Sequence, residues 1–321
     1  MPSGGSRCFA PPPPANGFRP SRTIPENETG DFQFAETYFL EYQSARSQSG
    51  LRHYFMDWIR LIKNIPRRFR EEQSEQLTYA NQHKDAYRWI YLNEDIRFCC
   101  PSNVLATWVW RFHAFTLGGR AELFSFIKLA EGCTRLLDVG ASAGIFSALF
   151  ANTRSKAEIV AVEPDVPSFK LLNETATLNS PETARWRFSP SVISHETGPL
   201  KFTSTGFGGD ISAEGESVQG HTLASLCAAE SYAPDLLKMD IESYEYEALL
   251  ASEAWLRQHR PKIFLELHLT LLKQRGKDAQ DVVAFLNRLG YQPVDGGSYE
   301  QAVKSSLDHA GCARLALVMK N

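Results

Sequence analysis

The chain has 321 residues, 43% of them hydrophobic and 22% charged, with a formal net charge of −3, a composition that suits a globular core domain with an appendage. Residues 1–130 carry 16 Lys and Arg against 13 Asp and Glu, and the remainder carries 18 against 24. Neither part has the basic excess of a polyanion binder, so nucleic acid is not an expected partner.

The six cysteines (Cys8, Cys99, Cys100, Cys133, Cys227 and Cys312) form no CxxC pair, which fits a reducing compartment. The N-terminus lacks a signal-peptide core, and no run approaches the ~18 apolar residues of a membrane helix. A cytoplasmic location without a membrane span is expected.

Residues 1–30, with Pro11–Pro14, read as a disordered tail of local polyproline character. Residues 31–130 read as helical: FAETYFLEYQ, LRHYFMDWIRLI and AELFSFIKLA space apolar groups at helical intervals. Twenty of the chain's 37 aromatic residues fall there. They are expected to form the core of a cap or of a homodimer contact, with some lining an acceptor pocket.

Residues 131–321 alternate strands and helices. LLDVGASAGIFSALF (Leu136–Phe150) reads as a buried strand, a small-residue turn and an apolar helix, a geometry that brings backbone N–H groups up to an anion. Strands are expected at Glu158–Glu163, Trp186–Ile193, Pro199–Thr203, Asp235–Ile241, Lys262–His268, Tyr291–Val294 and Leu315–Met319. Helices are expected through Phe169–Leu178 and over Leu223–Ala229, Tyr246–Leu256 and Val282–Leu289. Thr205–Gly220 reads as a long polar loop, expected to close over an acceptor. The pattern predicts an α/β fold with a mostly parallel sheet and helices on both faces.

In such a sheet a ligand lies beyond the carboxyl ends of the strands, where strand order reverses. That rule selects Asp138, Glu163, Ser191, Asp240, Glu242, Glu266 and His268, besides the Gly140–Gly144 turn. Glu163 follows the second strand, where a carboxylate accepts hydrogen bonds from vicinal ribose hydroxyls. The first turn lacks GxGxxG, which counts against an NAD-dependent oxidoreductase.

LLDVGASAGIFS, VEPDVPSFKLLNETATLN, TLASL followed by PDLLKMDIESYEYEALL, and PKIFLELH occur in an order that resembles the FkbM family of S-adenosylmethionine-dependent methyltransferases, over roughly residues 130–295. The resemblance implies a class I, Rossmann-like sheet of seven strands with an antiparallel last strand. It also implies S-adenosylmethionine as cofactor, held by Asp138, Gly140, Ser142, Gly144, Glu163 and Ser191. The implied activity is O-methyl transfer to a hydroxyl of a small molecule, sugar or glycan. The chain departs from the family at Ser142, where asparagine is usual, and at Ser243, where the KxDxEGxE pattern has glycine. The second departure leaves open a catalytically silent S-adenosylmethionine-binding or scaffold module.

A hydroxyl is a poor nucleophile until its proton is being removed, so a base is expected at the strand ends. His268 is the first candidate, with Asp240 to orient it or to act itself, and Glu242 beside them. Asp240, Glu242 and His268 also make an oxygen-rich set, but no compact metal motif supports one and no metal is expected.

Overall fold

A computed structural model of the chain describes residues 87–93, 95–101, 117–154, 156–181, 184–204, 209–307 and 311–320. The expectations for the tail 1–30 and for most of 31–130, including a dimer through its helices, lie outside these residues.

The described part opens with strands β1 (Tyr87–Tyr91) and β2 (Arg97–Pro101), which pair antiparallel. A helical reading of 31–130 therefore fails over this stretch. The reason is turn chemistry: the Asn93 side chain accepts hydrogen bonds from the backbone N–H groups of Asp95 and Ile96, at 2.9 and 2.7 Å, and reverses the chain. Asn179 then clamps the hairpin from outside, accepting from Cys99 N at 2.7 Å and donating to Cys99 O at 2.5 Å. Helix α1 (Leu117–Leu129) follows, as the periodicity predicts.

From there the chain alternates. In order come β3 (Arg135–Val139), α2 (Ile145–Thr153), β4 (Glu158–Val162), α3 (Val166–Leu178) and β5 (Arg185–Ser189). After an insertion come α4 (Leu223–Ala229), β10 (Leu236–Met239), α5 (Glu245–Ala251), α6 (Glu253–His259) and β11 (Lys262–His268). The chain closes with α7 (Leu269–Gln274), α8 (Ala279–Arg288), β12 (Tyr291–Pro293), α9 (Tyr299–Ser306) and β13 (Cys312–Met319). Seven strands form one sheet in the order β12-β13-β11-β10-β3-β4-β5. The five from β11 to β5 are parallel, and β13 runs antiparallel to both of its neighbours. This is the Rossmann-like, mostly parallel sheet expected from the sequence.

Strand periodicity divides the core. Leu136, Ile159, Leu236 and Phe264 face a layer with the hairpin, α1 and α2, where Phe126, Phe146 and Phe264 meet edge-on or tilted. Leu137, Val160, Leu237 and Leu265 face a layer that includes Leu226, Leu249, Leu256 and Phe285. The face toward α2 also carries Asp138 and Lys238, paired in register across β3 and β10.

The insertion after β5 differs from the expected strand and loop. Pro190 cannot donate to a ladder, and Trp186–Ile193 breaks there. β5 stays in the large sheet, while β6 (Ser191–Ile193) joins β7 (Gly198–Ser204), β8 (Gly209–Ile211) and β9 (Glu216–His221) in a second sheet of order β6-β9-β7-β8. Eight of the twelve described residues of the expected Thr205–Gly220 loop, 209–211 and 216–220, are therefore strand. Gly209 and Gly215 pack so closely on Phe202 and Thr203 that a Cβ at either would clash. Among the described residues no helix is long and apolar enough to cross a membrane.

Candidate active site

The chain leaves β3 to one side through β4 and β5, and returns to β3's other side through β10 and β11. A cleft opens at the strand ends where these two paths part. Its floor is Val139, Gly140 and Val162, and Glu163, Asp240 and Glu242 stand at its edge. The small sheet supplies an apolar wall that includes Val192, Phe202 and Ile211.

The first turn is held by backbone. Gly140 (φ 72°) and Gly144 (φ 84°) take the left-handed conformation open to glycine, and Ser142 takes it at φ 48°. A Cβ at Gly140 would stand 1.7 Å from the Asp240 carbonyl oxygen, so only glycine lets β3 and β10 end this close together. The Glu163 carboxylate accepts Ser142 N–H at 2.7 Å and Asp165 N–H at 2.8 Å. Burial pushes its pKa up to about 7 against those two bonds. Asp165 caps α3 through Ser168 N and accepts the Ser204 hydroxyl, tying the small sheet to the end of β4.

The second turn, Asp240–Tyr244, follows β10. Glu242 (φ 54°) and Ser243 (φ 85°) are both left-handed there without being glycine. The position where the family pattern has glycine thus keeps a glycine-like backbone under a serine. Oε1 of Glu245, from a fully buried side chain, accepts Ile241 N–H at 3.3 Å, Ser243 N–H at 3.1 Å and His268 Nδ1–H at 3.0 Å. The other ring nitrogen of His268, Nε2, faces Glu242 Oε2 at 3.4 Å, Asp240 Oδ1 at 3.6 Å and Glu266 Oε1 at 4.0 Å. Tyr244 donates to the Ile211 carbonyl at 2.9 Å under the Arg275 guanidinium, fastening β8 over the cleft.

Lys238 joins the two turns. Its ammonium donates to Gly140 O at 2.7 Å and lies 3.6 Å from Asp138 and 3.5 Å from Asp240. Burial alone would lower its pKa, but the Asp240 and Asp138 charges outweigh burial and hold it above the ordinary value. For Asp138, burial raises the pKa despite Lys238 and a 2.6 Å bond from Ser147. For Asp240, burial is overcome by Lys238, His268 and Arg314, which hold it low. Burial raises Glu242, and it pushes Glu266 up to about 8 with help from Asp240 and Glu122. Burial would lower His268, but its hydrogen bonds with Cys312 and Glu245 and the charges of Asp240 and Glu245 push it up to about 12. Within that field the imidazole keeps its proton at neutral pH.

Gly140, Glu163, Ser191, Asp240 and Glu242 line the cleft, and His268 does not, but its Nε2 lies 3.6 Å from Asp240 and 3.4 Å from Glu242. Asp138 does not reach the cleft; it is fully buried beneath the first turn. Gly144 does not line it either: its missing side chain admits Leu172 of α3, 2.7 Å from where a Cβ would be. Ser142 acts through its backbone N–H. The strand-end rule missed Phe202, Ile211 and Tyr244, yet the alternation Leu200, Phe202 against Lys201, Thr203 carried a strand signal. Asp240, Glu242 and His268 bring one donor atom each within 4.8 Å of one another, as do Glu266, His268 and Cys312. Lys238 and Arg314 already supply cations to Asp240 and Glu266 there.

These features fit a nucleoside carrying an amino-acid tail: a carboxylate for vicinal hydroxyls, an apolar wall for a base and a glycine turn open to close approach. Residues 138–293 match the methyltransferase FkbM domain. No curated protein matches the chain. Among solved structures, an FkbM methyltransferase from Methylobacillus flagellatus is 16% identical, with a TM-score of 0.35 over 67% of this chain and 51% of that one. This chain therefore spans about half the length of that structure. A TehB-like SAM-dependent methyltransferase from Corynebacterium glutamicum is 12% identical, with a TM-score of 0.34 over 62% of this chain and 87% of that one. M. jannaschii TYW2, solved with AdoMet, is 13% identical, with a TM-score of 0.36 over 74% of this chain and 88% of that one. The family match covers 156 of the 321 residues, just under half of the chain, and supports S-adenosylmethionine as the cofactor of this region.

Proposed function

We propose that the chain transfers the methyl group of S-adenosylmethionine to a hydroxyl oxygen of a small molecule, sugar or glycan. The observation that carries this reading is a cleft at the strand ends that brings the Gly140 turn and Glu163 together with the carboxylates of Asp240 and Glu242. When bound, the cofactor supplies a methyl already activated on a sulfonium, which leaves the protein to orient the acceptor and take its proton.

On this reading Glu163 accepts the ribose hydroxyls, the 140–144 turn faces the amino-acid tail, and Val192, Phe202 and Ile211 flank the base. Two acceptor-only carboxylates in the same cleft, Asp240 and Glu242, suit a hydroxyl donor. Glu242 is the better proton acceptor: its side chain is 52% exposed, whereas that of His268 is 9% exposed, with Nδ1 committed to Glu245. His268 then serves as the cation that keeps Asp240 and Glu242 together, a change from the role the sequence suggested.

The test is incubation with methyl-labelled S-adenosylmethionine and a panel of monosaccharides, methyl glycosides and glycolipid extracts. Label should appear as an alkali-stable ether, matched one to one by S-adenosylhomocysteine. Glu242→Gln should cut turnover on the order of 100-fold, the range of a general base, while cofactor affinity stays within about threefold. Label on nitrogen or carbon would sink the O-methyl assignment. Cofactor binding without transfer to any member of the panel would favour the silent module, the reading that Ser243 motivates.

A further inference from the structure

Glu245 stands at the first position of α5, directly after the Asp240–Tyr244 turn, with no solvent exposure. Its Oε1 gathers three N–H groups: two from the turn, Ile241 and Ser243, and one from the end of β11, His268 Nδ1. The turn spans two consecutive left-handed residues that are not glycine, Glu242 and Ser243. Such a backbone persists only where its surroundings over-determine it. Converging N–H groups on a buried carboxylate do that, and hydrogen bonds to a charged acceptor are the strong kind.

The bond to His268 has a second effect. It commits the Nδ1 proton to Glu245 and so turns Nε2 toward Glu242 and Asp240, at 3.4 and 3.6 Å. One oxygen therefore fixes both the backbone that carries Glu242 and the ring that faces it. We infer that Glu245 is a positioning residue for methyl transfer, setting where Glu242 and His268 Nε2 stand at the acceptor end of the cleft. Neither Glu245 nor His268 is among the residues that line the cleft, so Glu245 acts through Glu242, directly by its turn and by way of His268. The inference rests on the reading of that end as the place where the acceptor loses its proton.

A carboxylate that merely stabilised the fold would raise the melting temperature and do no more. The groups facing His268 separate the two roles: Asp240 and Glu242 from the turn, Glu245 from α5, Glu266 from its own strand and Cys312 from β13. Glu245→Gln keeps an oxygen for the N–H groups and removes the charge, whereas Glu245→Ala removes both.

The experiment uses the full chain and has two arms. In the first, nitrogen-15 NMR reads the His268 ring. Glu245→Gln should shift the Nδ1 signal and lower the ring's titration midpoint by about one pH unit or more, a tenfold change in proton affinity. Unchanged ring signals would overturn the inference whether or not an acceptor is known. In the second, with an acceptor from the panel above, Glu245→Gln should lower kcat about 10- to 100-fold, with cofactor affinity and KM within about threefold. In a His268→Ala background the same change should cost less than about threefold more, because the two act as one unit. Losses that multiply, or a loss of cofactor affinity matching the loss of kcat, would assign Glu245 to general stability. A shifted ring signal with no acceptor turned over would place the failure in the methyl-transfer reading, not in this one.

Discussion

At Gly140–Gly144 the chain turns on glycines, and the residue that keeps the turn closed is Glu163, through one backbone N–H from Ser142. At Asp240–Tyr244 it also enters left-handed backbone, but on Glu242 and Ser243, and the closure is Glu245 with three N–H groups. The first turn needs the absence of side chains, because a β-carbon at 140 would overlap the Asp240 carbonyl. The second needs their presence, because it carries Glu242 into the cleft and meets His268. On the proposed reading, a turn that hosts the cofactor works with bare backbone, and one that faces the acceptor displays side chains and accepts strain. Lys238 bridges them, so the two are not independent: its ammonium bonds the Gly140 carbonyl and pairs with Asp240.

Breaking the first turn should have the largest effect. Gly140→Ala puts a methyl group 1.7 Å from a backbone oxygen that cannot swing aside, on a residue at φ 72°. The strand ends must then separate, at a cost of about 3 kcal/mol or more, which is over 100-fold if all of it falls on cofactor binding. Calorimetry with S-adenosylmethionine should detect no binding under conditions where the wild type saturates, and melting should drop. Retained affinity would mean that the ends of β3 and β10 do not need this approach. Gly144→Ala should be milder, because the atom it meets is the Leu172 methyl group, at 2.7 Å.

Glu163 sharpens the same end through pH. A carboxylate must be ionised to accept from two ribose hydroxyls, and burial pushes this one up to about 7. With Glu163 in the proposed ribose role, protons should compete with the cofactor. Affinity should hold above pH 7 and fall toward tenfold per unit below it, and Glu163→Gln should bind weakly at every pH without that slope. The stability effect has the opposite sign. Between 4.5 and about 7 the folded chain keeps a proton that the unfolded chain has lost, so this group's contribution declines as pH rises through that window. Glu163→Gln should thus gain stability at pH 8, by about 3 kcal/mol at most. A variant that lost stability at pH 8 would show that the two N–H bonds outweigh the burial.

The large sheet was legible in the sequence because each of its central strands is a short apolar run ended by an acid, a proline or a turn. Glu163, Asp240 and His268 could be picked out because strand ends are where polar residues interrupt those runs. The β1–β2 hairpin was not legible: its aromatic and apolar residues also satisfy a helical spacing, and the deciding contact, Asn179 on Cys99, spans 80 residues. Of the small sheet, β7 was legible as the expected Pro199–Thr203 strand, but β8 and β9 were not, because Gly209 and Gly215 read as loop until Phe202 packs against them. Glu245 was legible as the last position of the KxDxEGxE pattern, but its contact with His268 was not. A glutamate at the start of a helix is ordinary, and only the fold brings His268 to it.

The smallest effect tests the strained side of the comparison. Ser243 is 3% exposed at φ 85°, a region that costs an L side chain roughly 1–2 kcal/mol. Ser243→Gly removes that cost and restores the family pattern, but it also frees the unfolded chain, which takes back about 0.4–1 kcal/mol. The net gain should be about 1 kcal/mol or less, a rise of roughly 2–4 °C in Tm. Cofactor affinity should not move, since the first turn is untouched. Turnover should also stay within about twofold, because Glu245 already holds this backbone where a glycine would. A tenfold rise in turnover, about 1.4 kcal/mol in the barrier, would mean that the serine side chain itself impedes the acceptor end. The second turn would then be tuned by what fills position 243, and not by how Glu245 holds it.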